Sequence, residues 1–463
     1  MTVPTDAKPT NVRYTVLAWA CSLSMLTYID RVCIKTVGSD MQTDLGISQM
    51  EFGLVFSAFG LAYALFEVPS GWLGDRYGPR AVLARIVLWW SLFTALTGCL
   101  WKFSYSLGYL PMPAFLAEWF DPVPLAFNSL LLLIIIRFLF GMGEAGAYPN
   151  AARGLRNWFP YARRGSAQGL LWAFGRWGGA IAPYVVVLFA LPFGWRGAFI
   201  AFGILGVAWV IVFLIYFRNS PSEHPGVNAA ERAYIEEKGD DQAKPPLSWR
   251  SMLRSPNLWC LTGMYFCSNA GWCFFITWDV EYYKKVLHLR DHALLFAQGT
   301  PLFFGGIACL AGGLLTDRQV RFWGRRWGRT AQGCVAYALG GAFFLLALVF
   351  IDVPFLSVAC LCVASFGKDF AMAVSWSTCI DIGHRYSGTV AGFMNGVGNL
   401  GTAFTPTLVG YLAGGKDGDW RIALVVSAVL FFLASACWLF IDPRKIVVYT
   451  EADREALRAK GVI

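Results

Sequence analysis

Long apolar runs separated by short polar turns set the pattern of this chain. A helix needs about 20 consecutive apolar residues to cross the hydrocarbon core of a bilayer. Runs of that length predict twelve spans. The first six lie at about 13–36, 50–73, 81–101, 127–149, 166–190 and 196–217. The second six lie at about 257–281, 293–315, 330–351, 354–378, 389–413 and 420–441. Between them runs a charged stretch, Arg218 to Arg254, with Pro221, Pro225, Pro245 and Pro246. The predicted division is therefore 1–217 as a six-helix bundle, 218–256 as a cytoplasmic linker, and 257–463 as a second bundle with a short cytoplasmic tail.

The polar turns carry further information. Arg76, Arg80, Arg153, Arg156, Arg163, Arg164, the linker and Arg318 to Arg329 fall on one side of the spans. The other side holds only Lys102, Arg196, Lys284, Lys285, Arg290 and Lys416. Basic loops stay in the cytoplasm, so both termini are expected inside. Lys102 to Ala126 then lies outside, rich in aromatics and proline, and reads as an interfacial lid or re-entrant piece. The turn after span two, Gly71 to Arg80, has a counterpart after span eight. Gly313-Leu314-Leu315-Thr316-Asp317-Arg318 repeats its spacing, with Gly324-Arg325-Arg326 beyond. Parallel repeats of this kind describe transporters whose site lies between two matching halves.

Composition closes off other classes. Charged residues make up 14% of the 463 positions and hydrophobic ones 57%, whereas soluble domains carry about 25% charged residues. The net charge of +9 is spent on membrane topology, so nucleic acid is not expected as a partner. The lipid bilayer is. Twelve cysteines, among them Cys21, Cys33, Cys99, Cys309 and Cys362, are scattered through apolar segments without metal spacing and read as small hydrophobes. Met1 to Asn11 has no cleavable signal pattern, so the first span is expected to be retained. No metal or cofactor is expected, and no nucleophile–base pair points to an enzyme. No nucleotide-binding loop is present, so an ion gradient must supply the drive.

Charges inside the spans are the candidate chemistry. Each costs roughly 2.5–3.5 kcal/mol at membrane depth and normally faces protein or a watery cavity. In Ile136 to Gly146, Arg137 and Glu144 stand two turns apart on nearly one face, either as a structural ion pair or as a cavity wall. In span one, Tyr28 and Arg31 share a face and Asp30 is turned about 100° away. Arg31 offers a planar fork matched to a carboxylate, unless it snorkels outward. Asp30 and Glu144 are candidate proton carriers, since a dry cavity and a nearby guanidinium act on a carboxyl in opposite directions. Asp30 has a structural alternative. Arg176 in span five either joins the cavity, which would favour a substrate with more than one anionic group, or stacks on Trp177 or Trp172. Glu67 lies one turn from Tyr63. Lys368 and Asp369 are neighbours on span ten and are expected to point apart, each needing its own partner. Asn269, Trp272, Trp278, Ser375, Trp376, Asn395 and Asn399 make the second half more polar and aromatic than packing requires.

Gly71-x-x-x-Asp75-Arg76-x-Gly78-x-Arg80 resembles the signature loop of the major facilitator superfamily, and the resemblance extends from Asn11 to Pro443. Tyr28-Ile29-Asp30-Arg31, Arg137 through Glu144-Ala145 with Pro149 and Asn157-Trp158-Phe159-Pro160, and Gly392-Phe393-Met394-Asn395-Gly396 are similar to the anion:cation symporter branch. That branch includes sugar-acid permeases and vesicular glutamate transporters. The resemblance implies an all-α membrane protein with twelve transmembrane helices in two pseudo-symmetric bundles. It implies substrate contact at Arg31, Tyr63, Ser375, Trp376 and Asn395, proton coupling at Asp30 and Glu144, and a response of Arg137 to the state of Glu144; Tyr28 and Arg137 are candidate substrate contacts from their own positions. A conformational role is implied for Gly71, Asp75, Arg76, Gly78 and Arg80 and for Asp317 and Arg318. Departures are Arg176, where the family more often has an uncharged polar residue, and Glu67, commonly glutamine. Trp278-Asp279-Val280-Glu281-Tyr282 also replaces Trp-x-Pro-x-Tyr.

The reading is a monomeric secondary transporter in the plasma membrane that imports a small organic anion, such as a sugar acid, with protons. The alternatives are an exporter or facilitator of another carboxylate, and a ligand sensor that keeps the fold without transport.

Overall fold

The computed structural model describes residues 8–109, 124–235, 247–412 and 419–459. Their apolar runs form helices close to the expected bounds. The first four rods are Val12–Thr36, Gln49–Tyr77, Pro79–Gly98, and Ser129–Glu144 continued by Ala147–Trp158. Spans five and six are one helical stretch, Arg164–Tyr216, broken at Gly194. Span seven starts as Pro256–Trp272, passes a π turn at Phe274–Trp278 and ends in Asp279–Lys285. Spans eight and nine share Asp291–Val349, broken at Gly324. Pro354–Gly383, Ser387–Leu412 and Arg421–Phe440 complete twelve rods among the described residues. Large apolar side chains point outward along them, including Leu188, Leu191, Ile204, Ile215, Val349 and Phe355, each more than 60% exposed. In water that surface would be a liability; it is the face a lipid-embedded protein needs.

One expectation changes. Span four is not continuous through residue 149, because Gly146 takes φ 87° and interrupts the helix. A Cβ there would run into Ser70 of span two, so glycine is required by both backbone and space. The outer segment after Lys102 takes a form the sequence did not specify. Ser104–Tyr109 and Pro124–Asn128 pair as an antiparallel ribbon, and the residues between, with Pro111, Pro113, Glu118, Asp121 and Pro122, lie outside the described residues. Lys416 lies outside them too. So do Pro245 and Pro246. The rest of the linker divides its attachments. Helix Ala229–Ile235 is tied to the start of span one, where buried Glu231 accepts from the backbone of Val12 and Arg13 and pairs with the Arg13 guanidinium at 2.8 Å. Helix Trp249–Leu253 is tied to the C-terminal stretch, through Ser248 to the Val448 carbonyl and Ser251 to the Tyr449 carbonyl.

The repeated turns work reciprocally. Asp75, after span two, accepts hydrogen bonds from the backbone N–H groups of Gly388 and Thr389 at 3.1 and 2.6 Å and from the Thr389 hydroxyl at 2.7 Å. Those groups open span eleven. Asp317, at the end of span eight, accepts from the N–H groups of Gly165 and Ser166 at 2.9 and 2.7 Å, which open span five. Each carboxylate thus fills the orphan donors of a helix N-terminus in the other half, where the helix dipole also favours negative charge. Arg164 and Arg329 both reach Asp381 at this end, at 3.4 and 2.8 Å. The other signature residues brace it. Arg80 donates to the Leu214 carbonyl, Arg76 lies over Trp72, Arg318 lies over Phe322, and Gly78 takes φ 85°.

Along span two, the stripe Gly71, Glu67, Ala64 packs against Gly388, Gly392 and Gly396 of span eleven. One and three turns further, a side chain at Gly60 or Gly53 would meet nothing within 4 Å. Span eight behaves likewise. Gly313 lies on Gly165 and Gly169 of span five, Gly306 touches Trp177, and Gly299 faces open space. The structure is closed at the signature-loop end and parted at the opposite end. Because a Cβ at Gly71 would collide with the Gly388 carbonyl, Gly71→Val should cost this closed arrangement about 1–3 kcal/mol. Spin labels at exposed Tyr77 and Phe322 should then report longer distances than in the parent protein, and an unchanged distance distribution would refute the crossing as the seal.

Candidate functional site

Midway along the spans, side chains from both halves meet around Tyr28. Arg31 extends from span one, and its Nε donates to Glu144 Oε1 at 2.6 Å. The Arg31 guanidinium lies 4.5 Å from the Tyr63 ring centre and 5.5 Å from that of Phe59. Its side chain keeps 25% exposure while Glu144 keeps 1%. The charged head therefore stands at the edge of accessible space with its counter-ion behind it. One guanidinium nitrogen, Nη2, and the second carboxylate oxygen, Oε2, have no hydrogen-bond partner among the described residues.

Glu144 is thus paired across helices with Arg31, not with Arg137 in its own span. Seven residues rise about 10.5 Å along an axis, and that separation outweighs the shared face. Arg137 is buried, sits 4.8 Å over the Phe140 ring and leaves its Nη2 without a hydrogen bond among the described residues. Asp30 is 2% exposed; the Trp90 indole stands beside its carboxylate, but neither oxygen makes a well-formed hydrogen bond among the described residues. It lies within electrostatic range of Arg137 and Glu144. A buried polar atom left unpaired typically costs 1–3 kcal/mol. Four such charged groups stand in one neighbourhood: Asp30, Arg31, Arg137 and Glu144.

A second centre lies on the other side of Tyr28. The Arg176 Nη1 donates to the Tyr28 hydroxyl at 3.1 Å. Its Nε and Nη2 grip Asp369 of span ten in a two-pronged pair at 3.1 and 2.6 Å. The guanidinium lies over Trp272 at 4.7 Å, so the expected stacking on Trp177 or Trp172 is corrected: span seven supplies the ring. Lys368 and Asp369 do not point apart either. The Lys368 Nζ reaches back to Asp369 Oδ1 at 3.4 Å and stands 4.6 Å over the same Trp272 ring. Neighbouring Cβ vectors diverge, but a four-carbon stem is long enough to return.

The remaining expected positions are engaged differently. Asn395 donates from Nδ2 to Glu67 Oε1 at 2.7 Å, bridging spans eleven and two, and Tyr63 lies beside the same carboxylate. The Trp376 indole donates to Tyr265 at 3.1 Å and packs on Trp172. The Ser375 hydroxyl donates to Ala371 of its own helix at 2.8 Å. Asn269 is buried near Gly398, while Trp278 packs tilted against Trp420 with ring centres 4.9 Å apart. Trp272, Glu67 and Asp369 were visible only as polar or aromatic residues inside spans; their partners come from other helices. Losing Asp369 should leave two buried cations facing each other. Asp369→Asn should therefore cost about 3–5 kcal/mol, seen as a lowered melting temperature, and adding Arg176→Gln should recover part of it. Equal melting temperatures for parent and Asp369→Asn would refute the pair.

The model of the Major Facilitator Superfamily matches residues 20–406. The chain is similar to the probable sulfoacetate transporter SauU of Cupriavidus necator, at 31% identity over 436 residues, covering 93% of this chain and 94% of that one. It is also similar to the probable galactarate/D-glucarate transporter GudP of Escherichia coli, at 28% identity with 94% of each chain covered. The chloroplastic sodium-dependent phosphate transport protein 1 of Arabidopsis thaliana is 28% identical, with 94% and 80% covered. Among solved structures, the fucose:proton symporter FucP of Escherichia coli superposes with a TM-score of 0.65 at 13% identity, covering 93% of this chain and 99% of that one. That likeness concerns the fold.

Proposed function

Since the chain belongs to the Major Facilitator Superfamily, we propose that it is a proton-coupled importer of a small organic anion of the sugar-acid or sulfo-acid kind. Its place is then the cell membrane, with the basic signature-loop end and both termini in the cytoplasm. Residues 1–217 and 257–463 rock against each other and 218–256 joins them. The relatives named for sulfoacetate, galactarate and glucarate carriage support the anion class. They are transporters, not enzymes.

The observation that carries the coupling is the Arg31–Glu144 pair at 2.6 Å. A guanidinium that already holds one carboxylate can hold another of the same geometry. Two carboxylates competing for one fork in a dry site repel unless one is neutral. A proton on Glu144 releases the fork, the substrate carboxylate takes it, and the charge inside the site is conserved. Asp30, buried without a well-formed hydrogen bond among the described residues, receives or passes that proton beside Arg137. Tyr28 and Tyr63 flank the fork, while Asn395 and Trp376 must exchange their present partners, Glu67 and Tyr265, to reach hydroxyls of the substrate. Ser375 needs a change of rotamer to join them. When substrate and proton leave at the signature-loop end, the capping contacts of Asp75 and Asp317 must open.

Two variants test this. Arg31→Lys keeps the charge but loses the fork, and binding of D-glucarate or sulfoacetate should weaken at least about tenfold, or 1.4 kcal/mol. Near-parental affinity would remove Arg31 from substrate recognition. Glu144→Gln mimics the protonated state. In proteoliposomes it should still exchange labelled for unlabelled substrate, yet fail to accumulate substrate against a gradient. Uphill uptake at the parental level would remove Glu144 from the proton path. Loss of exchange together with a poorly folded protein would instead mark the pair as structural.

A further inference from the structure

The Lys368 ammonium is the charge the arrangement above leaves over. It is 1% exposed, and Asp369 is fully buried. Arg176 engages both oxygens of that carboxylate at 3.1 and 2.6 Å, while Lys368 reaches only one of them, at 3.4 Å. Two cations therefore share one anion, packed around the face of Trp272, which lies 4.7 Å from one and 4.6 Å from the other. An ammonium carries three donors, and no second oxygen reaches this one among the described residues. A purely structural bridge between spans five and ten needs Arg176 and Asp369 alone. The added lysine makes that bridge cationic, at the cost of burying a further charge.

This cationic centre is joined to the Arg31 fork through a single side chain. Arg31 lies 5.8 Å from the Tyr28 ring centre, and Arg176 donates to the hydroxyl at the far end of that ring at 3.1 Å. Two positively charged binding points are thus separated by about the length of one phenol ring plus its contacts. The first belongs to span one and the second to spans five and ten, so an anion touching both bridges the two halves.

We propose that Lys368 and Arg176 form a second anion subsite, and that the transported substrate is a short dianion with a charged group at each end. One group takes the Arg31 fork and the other takes the free donors of Lys368 beside Arg176. Dicarboxylates and sulfo-carboxylates carry the two charged ends this requires, whereas a monoanion of the same skeleton leaves the Lys368 ammonium with only Asp369. The proposal rests on the reading of Arg31 as the first anchor. It adds a basis for discrimination: an unpaired buried charge penalises the wrong ligand, which is how a polar site rejects a near-isostere.

The test uses matched probes on the purified full-length protein, D-glucarate against D-gluconate and sulfoacetate against ethanesulfonate, with dissociation constants from calorimetry. The parent should favour the dianion of each pair by at least about tenfold. Lys368→Met should reduce that ratio to near unity, and Lys368→Arg should retain most of it. A parent that binds both members of a pair equally overturns the subsite while leaving the Arg31 reading standing. So does a Lys368→Met protein with an unchanged ratio. Arg31→Lys binding every probe like the parent would instead overturn the first anchor. Should Lys368→Met fold poorly, the parental ratio and the Lys368→Arg protein still decide.

Discussion

Charge buried out of water must be matched, and the structure follows from how it is matched. A lone ion in a low-dielectric interior costs far more than any single packing contact returns. This chain carries Asp30, Arg137, Glu144, Arg176, Lys368 and Asp369 in that condition. Arg31 stands with them, partly exposed. Their pairing ties span one to span four through Arg31 and Glu144, and span five to span ten through Arg176 and Asp369. The first tie lies within one half and the second crosses between halves. Whatever changes the second tie changes what holds the halves in register. Chemistry and conformational change thereby draw on the same small set of ion pairs.

The signature-loop end is governed by the same rule in a milder form. Asp75 and Asp317 are placed where backbone donors of the opposite half would otherwise be unsatisfied. These bonds form only when the halves meet, so they stabilise one arrangement and contribute nothing to the other. The glycine crossings at Gly71–Gly388 and Gly165–Gly313 let backbones approach closely enough for the carboxylates to reach. A seal made of caps and close contacts can separate without leaving a bare charge in lipid, because its carboxylates sit at the ends of the spans and meet water on opening.

Much of this was legible in the residues. Span number and bounds followed from apolar run length, because the bilayer imposes it. The matching turns after spans two and eight followed from the spacing of Asp75-Arg76 and Asp317-Arg318. The charged positions stood out because charge inside a span is costly. Pairing was not legible. Arg137 and Glu144 share a face, yet the rise between them and the position of span one gave Glu144 to Arg31. Lys368 and Asp369 have diverging Cβ directions, yet a long stem brought the ammonium back. The break at Gly146 depends on Ser70 from another helix, and the ribbon beyond Lys102 depends on pairing between two segments well apart in sequence, Ser104–Tyr109 and Pro124–Asn128. Helix type is set locally; partners are set by which helices lie side by side.

Tyr28 shows what such a limit conceals. In the sequence it is one aromatic residue beside an Asp-Arg pair. In the structure its ring faces Arg31 and its hydroxyl receives Arg176, so it separates two cationic centres, one within the first half and one shared between the halves through Asp369. A tyrosine suits this position because an apolar face and a polar tip serve different neighbours at once. A shorter side chain would let the two guanidinium groups approach, and a phenylalanine would keep the ring but leave Arg176 without this acceptor. A rigid ring thus stands between the two arginine heads, one against its face and one at its hydroxyl, where two flexible stems alone would set no spacing.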